Sequence, residues 1–224
     1  MKKISYLVIL IMIVFQIKTV NATVLTFDDL TDIIPTNEQA PIDDIGIYGG
    51  LHWNNMLYTD PDEFNFHLDN IGNSGYENGL VSHDHVAFNS GGNQATIFGD
   101  VIDFEGCYLT GAWRDGLNIN VQGFKAGALL YEETVVADST SATWFEFNFL
   151  GIDTLVLSSF GGIAHGYTAG DSGGSIVLDG TMFVMDDFTF ETTPVPEPAS
   201  IIMVCLGLTG PFFLRSRKRR RAEK

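Results

Sequence analysis

The sequence predicts an all-β protein built as a single β-sandwich, jelly-roll-like, and three observations predict it. Short segments alternate with period two: Phe145, Phe147 and Phe149 fall on one face and Trp144, Glu146 and Asn148 on the other, while Leu117, Ile119 and Val121 oppose Asn118, Asn120 and Gln122. That spacing is the signature of half-buried strands. Turn dipeptides rich in Gly, Asn and Asp separate the segments, among them Asn73-Ser74-Gly75, Asp115-Gly116 and Asp179-Gly180. No stretch carries helical periodicity with caps. Many short strands at such spacing argue a sandwich or jelly roll.

The elements follow in order. Residues 1–22 begin with Lys2 and Lys3, run apolar from 4 to 17 and end on Val20-Asn21-Ala22. Positive start, short apolar core and small residues before a cut are the layout of a secretory signal peptide. Strands are then expected at 24–27, 47–53, 85–88, 95–98 and 107–113, the last placing Cys107, Leu109 and Trp113 on one face. Further strands are expected at 117–121, 128–132, 145–149, 154–158, 175–178 and 182–190. Residues 23–191 thus form one domain, long enough for a real core.

The C-terminal end mirrors the N-terminal one. The linker 192–198, Thr-Thr-Pro-Val-Pro-Glu-Pro, cannot continue a strand or helix, because its prolines lack donors and restrict their neighbours. Residues 199–214 are apolar, 16 positions interrupted by Gly207, Gly210 and Pro211, against the ~20 residues of an ordinary spanning helix. Arg215, Arg217, Lys218, Arg219, Arg220, Arg221 and Lys224 complete a basic tail at 215–224. By the positive-inside rule this tail stays cytoplasmic and the domain lies outside. Segment 199–214 therefore reads as a short transmembrane segment suited to processing.

Charge narrows the partners. The whole chain has a formal charge of −16, yet residues 23–194 hold only Arg114 and Lys125 against 26 carboxylates, a net of −24. Nucleic-acid binding, which needs a basic footprint, is excluded. Attraction to anionic lipid is disfavoured. Acidity of this order fits solubility outside the cell or divalent-cation binding. Cys107 is alone in the domain and Cys205 lies in the tail, so no internal disulfide is expected after processing.

Two resemblances follow from these residues. Val195-Pro196-Glu197-Pro198-Ala199-Ser200, an apolar stretch and an Arg-rich end, in that order, resemble the PEP-CTERM sorting signal of Gram-negative bacteria. The resemblance implies that an exosortase, a membrane transpeptidase-like protease, cuts near Val195, Pro196, Glu197 and Pro198. It also implies an inner-membrane anchor before processing and residence at the cell surface or in the extracellular matrix afterwards. Tyr48-Gly49-Gly50-Leu51-His52-Trp53-Asn54-Asn55, Gly79-Leu80-Val81-Ser82, Val86-Ala87-Phe88-Asn89 and Gly151-Ile152-Asp153 are similar to extracellular domains of other proteins with this signal. The first and last segments, Leu25-Thr26-Phe27-Asp28-Asp29-Leu30 and Phe183-Val184-Met185-Asp186-Asp187-Phe188-Thr189-Phe190, resemble the termini of jelly-roll, galactose-binding-like modules. In such modules these strands lie side by side and often hold a structural calcium.

Candidate chemistry follows. Asp28, Asp29, Asp186 and Asp187 would converge if the terminal strands pair, and calcium takes six to eight such hard oxygens. Asp43-Asp44 and Asp60-Pro61-Asp62-Glu63 are lesser loop candidates. His83-Asp84-His85, if extended, places two imidazoles on one face at a spacing that suits a transition metal. Trp53 and Tyr58, with Trp113 and Tyr131, are the rings considered for stacking on sugar faces; the Phe145–149 run and Trp113 equally suit a core. Gly170-Asp171-Ser172-Gly173-Gly174 matches a chymotrypsin-like nucleophile signature, but no oriented His-Asp pair or second barrel accompanies it, so it reads as a turn. The expected function is a non-enzymatic structural or glycan-binding module of the surface or exopolysaccharide matrix. The alternative is an extracellular glycan hydrolase on the same scaffold, although no carboxylate pair stands out from the 26.

Overall fold

The computed structural model describes residues 22–30, 39–62, 74–171 and 174–192. The stretches read from sequence as signal peptide, linker with sorting motif, apolar segment and basic tail lie outside the described residues, except for Ala22 and for Thr192, which is in a strand and not in the linker. Among those that are described, no helix is long and apolar enough to cross a membrane.

The domain is all-β. Its strands are β1 (Thr23–Leu25), β2 (Gln39–Pro41), β3 (Leu51–Asn54), β4 (Met56–Thr59), β5 (Val86–Asn89), β6 (Ala95–Gly111), β7 (Arg114–Lys125), β8 (Ala128–Ala137), β9 (Thr143–Ala164), β10 (Thr168–Asp171), β11 (Gly174–Val177) and β12 (Phe183–Thr192). Gly75–Asn78 forms one helical turn, where the sequence suggests only a loop. Ten strands make one antiparallel sheet in the order β2-β4-β5-β12-β6-β9-β7-β8, with β1 added to β12 and β3 to β6. The sheet closes on itself in a sandwich-like way, because inward faces of strands from both ends share one core. That core holds Trp53 and Tyr58 from β3 and β4, Phe104, Cys107 and Leu109 from β6, and Leu117, Ile119 and Val121 from β7. Phe147 and Phe149 from β9 and Phe188 and Phe190 from β12 complete it. Phe104 stacks on both Phe147 (5.3 Å) and Phe188 (4.7 Å), and Trp53 meets Phe188 edge-on at 5.2 Å. Each such fully buried ring contributes about 1.5–3 kcal/mol relative to exposure.

The terminal strands do pair: Thr23, Val24 and Leu25 lie opposite Phe190, Thr189 and Phe188. Other expectations need correction. The separate strands expected at 95–98 and 107–113 are one strand, β6, and those at 145–149 and 154–158 are one strand, β9. The sequence carries turn residues between them, but the ladder continues across register shifts between Phe98 and Gly106, and Asn148 and Gly151 take positive φ. Such bulges bend a strand without ending it. Trp113 belongs to neither strand face. It sits in the link between β6 and β7 and packs with Tyr76 and Phe88 in a second cluster. Asp115-Gly116 lies inside β7, not in a turn. Cys107 is fully buried, and burial pushes its thiol well above the ordinary range, so it is inert as a nucleophile.

Candidate functional site

The rings chosen from sequence for sugar stacking are not available for it. Trp53 and Tyr58 are both 0 % exposed. Alternation along β3 and β4 turns them inward, and Trp53 donates its indole N–H to the Tyr48 carbonyl at 3.0 Å. Trp113 is buried and Tyr131 lies stacked on Phe149 at 4.8 Å. A fully buried ring such as Trp53 or Tyr58 cannot accept a sugar, and Phe149 covers one face of the half-buried Tyr131.

An exposed platform exists on the opposite face of the sheet. Trp144 of β9 is 38 % exposed and pairs directly with Tyr108 of β6. Their rings meet edge-to-face with centroids 5.3 Å apart. The next cross-strand pair on this face is Glu146 with Gly106. A Cβ on Gly106 would come within 2.8 Å of the Trp144 ring and 2.3 Å of the Phe145 carbonyl oxygen. The indole therefore lies over the gap that glycine leaves. Glu146 and Asn148 continue the exposed face of β9, with the Asn148 amide donating to Glu146 Oε1 at 2.9 Å. An apolar ring face beside a carboxylate and an amide is the chemistry that holds a sugar, one group for C–H faces and the others for hydroxyls.

One edge of this platform is set by the four aspartates picked out from the sequence. Tyr108 pairs on its other side with Asp186 of β12. Asp186 is fully buried and accepts four hydrogen bonds: from Val81 N (2.7 Å), Ser82 N (2.8 Å), Ser82 Oγ (2.8 Å) and Asp187 N (2.7 Å). Asp28 accepts N–H groups of Asp84 (2.7 Å) and His85 (3.1 Å). Loop 81–85 is thereby pinned beside Tyr108. Asp29 takes the Tyr48 hydroxyl at 2.8 Å, and that hydroxyl in turn accepts the Phe27 N–H at 3.2 Å. Asp187 sits at a positive φ of 49° beside the register shift in β12.

Electrostatics at this corner reflect the division of labour. Burial pushes the Asp186 carboxyl above its ordinary value, against the pull of Ser82, Val81 and Asp187. Burial also raises Asp187, and the charge of Asp28 adds to it. Burial raises Asp28 too, but hydrogen bonds from Asp84, His85, Thr26 and His83 outweigh it and leave that carboxyl lowered. Of the four aspartates only Asp28 and Asp187 feel each other's charge, while Asp186 and Asp28 turn their oxygens to N–H and O–H donors and Asp29 binds the Tyr48 hydroxyl. Among the described residues, no three His, Cys, Asp or Glu side chains gather as a cation site.

The remaining motifs are placed as follows. His83 is exposed and His85 buried, because 82–84 is bent and not extended; the two imidazoles do not share a face. Asp43 Oδ1 accepts the Trp53 N–H at 3.0 Å, and Asp60 Oδ1 accepts that of Asp62 at 2.9 Å. Glu63 lies outside the described residues. Gly170 and Gly174 belong to the β10–β11 hairpin, with Asp171 opposite Gly174, as a turn between strands requires. Elsewhere Asp115 accepts Ser139 Oγ at 2.6 Å and lies 2.7 Å from His165 Nδ1, with Tyr167 stacked on that imidazole at 4.4 Å. The hydroxyl here is bonded to the carboxylate and not to the imidazole, and Ser139 is fully buried. It is not arranged as a nucleophile with its base.

Sequence reasoning placed Trp144 on the face opposite the phenylalanines but did not single it out. The signal was present in the alternation, since the partner face of a buried Phe-x-Phe-x-Phe run must be the exposed one.

Comparison with known proteins adds the following. Residues 194–220 match the PEP-CTERM protein-sorting motif. No curated protein matches the chain. Among solved structures, TmCBM61 in complex with beta-1,4-galactotriose is similar, with a TM-score of 0.39 and 9 % identity, over 68 % of this chain and 95 % of that one. A likeness that distant carries no argument about function.

Proposed function

We propose that this chain is an exported surface or matrix protein whose β-domain binds polysaccharide without cleaving it, after an exosortase has processed its PEP-CTERM tail. The observation that carries the binding half is the exposed Trp144 ring, laid over Gly106 and against the half-buried Tyr108, with Glu146 and Asn148 on the same face. The sorting motif at 194–220 supports export and processing. The acidic domain, −24 over residues 23–194, fits a solvated life outside the cell. The domain reads as 23–191, followed by the Pro-rich linker 192–198, the membrane segment 199–214 and the cytoplasmic tail 215–224, with 1–22 as the signal peptide.

Retention of the full chain on immobilised polysaccharides, compared with Trp144→Ala, tests the binding half. Losing the ring is expected to weaken retention by more than tenfold, or about 1.4 kcal/mol, and to lower the thermal midpoint too, because the ring is only 38 % exposed and packs on Tyr108 and over Gly106; retention is therefore compared at a temperature where both proteins are folded. Equal retention of both proteins would remove the platform. Release of oligosaccharide would instead favour the glycan hydrolase. For the sorting half, the C-terminal mass of protein from the native cell is expected to end near Pro198; an intact Lys224 would leave a plain anchor.

Calcium at Asp28, Asp29, Asp186 and Asp187 is a separate question. Hydrogen bonds already occupy the oxygens of Asp186, and six to eight ligands are needed. The melting midpoint is therefore expected to be the same in calcium and in excess chelator. A midpoint that rises with calcium would put the ion between Asp28 and Asp187, whose charges oppose each other.

A further inference from the structure

We infer that the polysaccharide taken by the Trp144 platform carries free amines, and that uronate or sulfated polymers are turned away. The inference rests on the reading of Trp144 and Tyr108 as a sugar platform and adds the charge of its ligand.

The argument is one of charge complementarity. Beside the indole the exposed face of β9 presents Glu146, two residues along and therefore ~7 Å away on the same side. Asn148 donates to one of its oxygens, which fixes the carboxylate and leaves the other oxygen for a ligand donor. An ammonium on a sugar stacked over Trp144 would meet a held carboxylate; a uronate there would meet a like charge. Nothing in the domain offsets this. Its basic residues are Arg114 and Lys125. Arg114 is taken: Nε and Nη2 bond Asp179 at 2.6 and 2.9 Å, and Nη1 bonds the Gly161 carbonyl at 2.9 Å. Lys125 ends β7 at the turn into β8, next to Phe124, whose partner Thr154 lies ten residues along β9 from Trp144. Among the described residues Lys125 is thus the one Lys or Arg that an anionic chain would find outside an ion pair, in a domain of charge −24. At physiological salt, screening leaves charges within about 8 Å of a ligand effective, a reach that includes Glu146.

The test uses matched polymers. Chitosan, a partly deacetylated glucosamine polymer, is compared with the same chitosan after chemical N-acetylation, and with polygalacturonate, each immobilised at equal density. The full chain is expected to bind chitosan at least tenfold more tightly than its acetylated form, to ignore polygalacturonate, and to lose chitosan as salt rises from 50 mM to 500 mM. Trp144→Ala is expected to lose chitosan binding, and Glu146→Gln to weaken it about threefold or more. Equal binding of chitosan and its acetylated form, both abolished by Trp144→Ala, would overturn the amine preference and leave the platform standing. Chitosan binding that survives Trp144→Ala would be ionic adhesion alone and would overturn both. Binding of polygalacturonate in preference to chitosan would overturn the charge argument outright.

Discussion

Replacing Asp186 with alanine is expected to cost the domain about 3 kcal/mol or more, on the order of 10 °C in the thermal midpoint. The carboxylate is fully buried and holds four donors, three of them backbone N–H groups of Val81, Ser82 and Asp187. Alanine leaves those donors buried and unpaired, and each carries its own desolvation cost. Loop 81–85 would then hang on Asp28 and on the Ser82 hydroxyl's bond to the Thr26 carbonyl, so protease cleavage within 81–85 is expected to accompany the loss. Asp186→Asn is the informative companion. It keeps one acceptor oxygen but turns an NH2 toward N–H groups, so its midpoint should fall between wild type and alanine. An alanine variant that melts like wild type would show that the loop is held some other way.

Acidification should act on these carboxylates in opposite directions. Asp186 has a raised value in the fold, so above that value the buried charge bears its full desolvation penalty. Lowering the pH from there toward the unfolded 3.8 favours the folded state at this site. Asp28, whose value is lowered, contributes stability that is complete above 3.8 and is lost as the pH falls through its folded value.

Gly106→Ala is the second large effect, because one methyl group strikes both the fold and the platform. Its Cβ would stand 2.3 Å from the Phe145 carbonyl oxygen, a backbone atom in the paired strand, and 2.8 Å from the Trp144 ring. The ring can swing away; the carbonyl can move only if β6 and β9 separate at the centre of the sheet. Overpacking of this kind costs about 1–3 kcal/mol. The variant should therefore melt lower and bind polysaccharide more weakly, whereas Trp144→Ala introduces no clash and gives up only the packing of its own ring on Tyr108 and Gly106. Calorimetry and affinity measured on both variants separate the two roles. If Gly106→Ala bound as wild type does, the indole would not need that gap, and the platform would have to be redrawn.

The sandwich-like class was legible because period-two alternation is a local property. Leu117, Ile119, Val121, Phe147 and Phe149 are buried where the pattern put them. Strand lengths were not. Gly and Asp residues near 99–106 and 148–153 signal turns in sequence, yet long β6 and β9 run through them, since cross-strand partners on both sides outweigh local turn preference. The apposition of the terminal strands was also anticipated, but it does not gather the two aspartate doublets into one cluster among the described residues. Their task was not: whether a buried carboxylate faces a cation or a row of N–H groups depends on a loop over a hundred residues away in the chain, Val81 to Asp186.

The sequence by itself determined the all-β class, the alternation along 117–121 and 145–149, the acidity of the domain and the sorting motif at 194–220, all of which rest on neighbours in the chain. Only the tertiary structure decided which rings reach solvent. Trp53, Tyr58, Trp113 and Trp144 are alike as residue types, and alternation says only that each has a side. Packing of β12 and β6 against β3 buries Trp53, the second cluster buries Trp113, and the absence of a side chain at Gly106 leaves Trp144 lying open on the outer face.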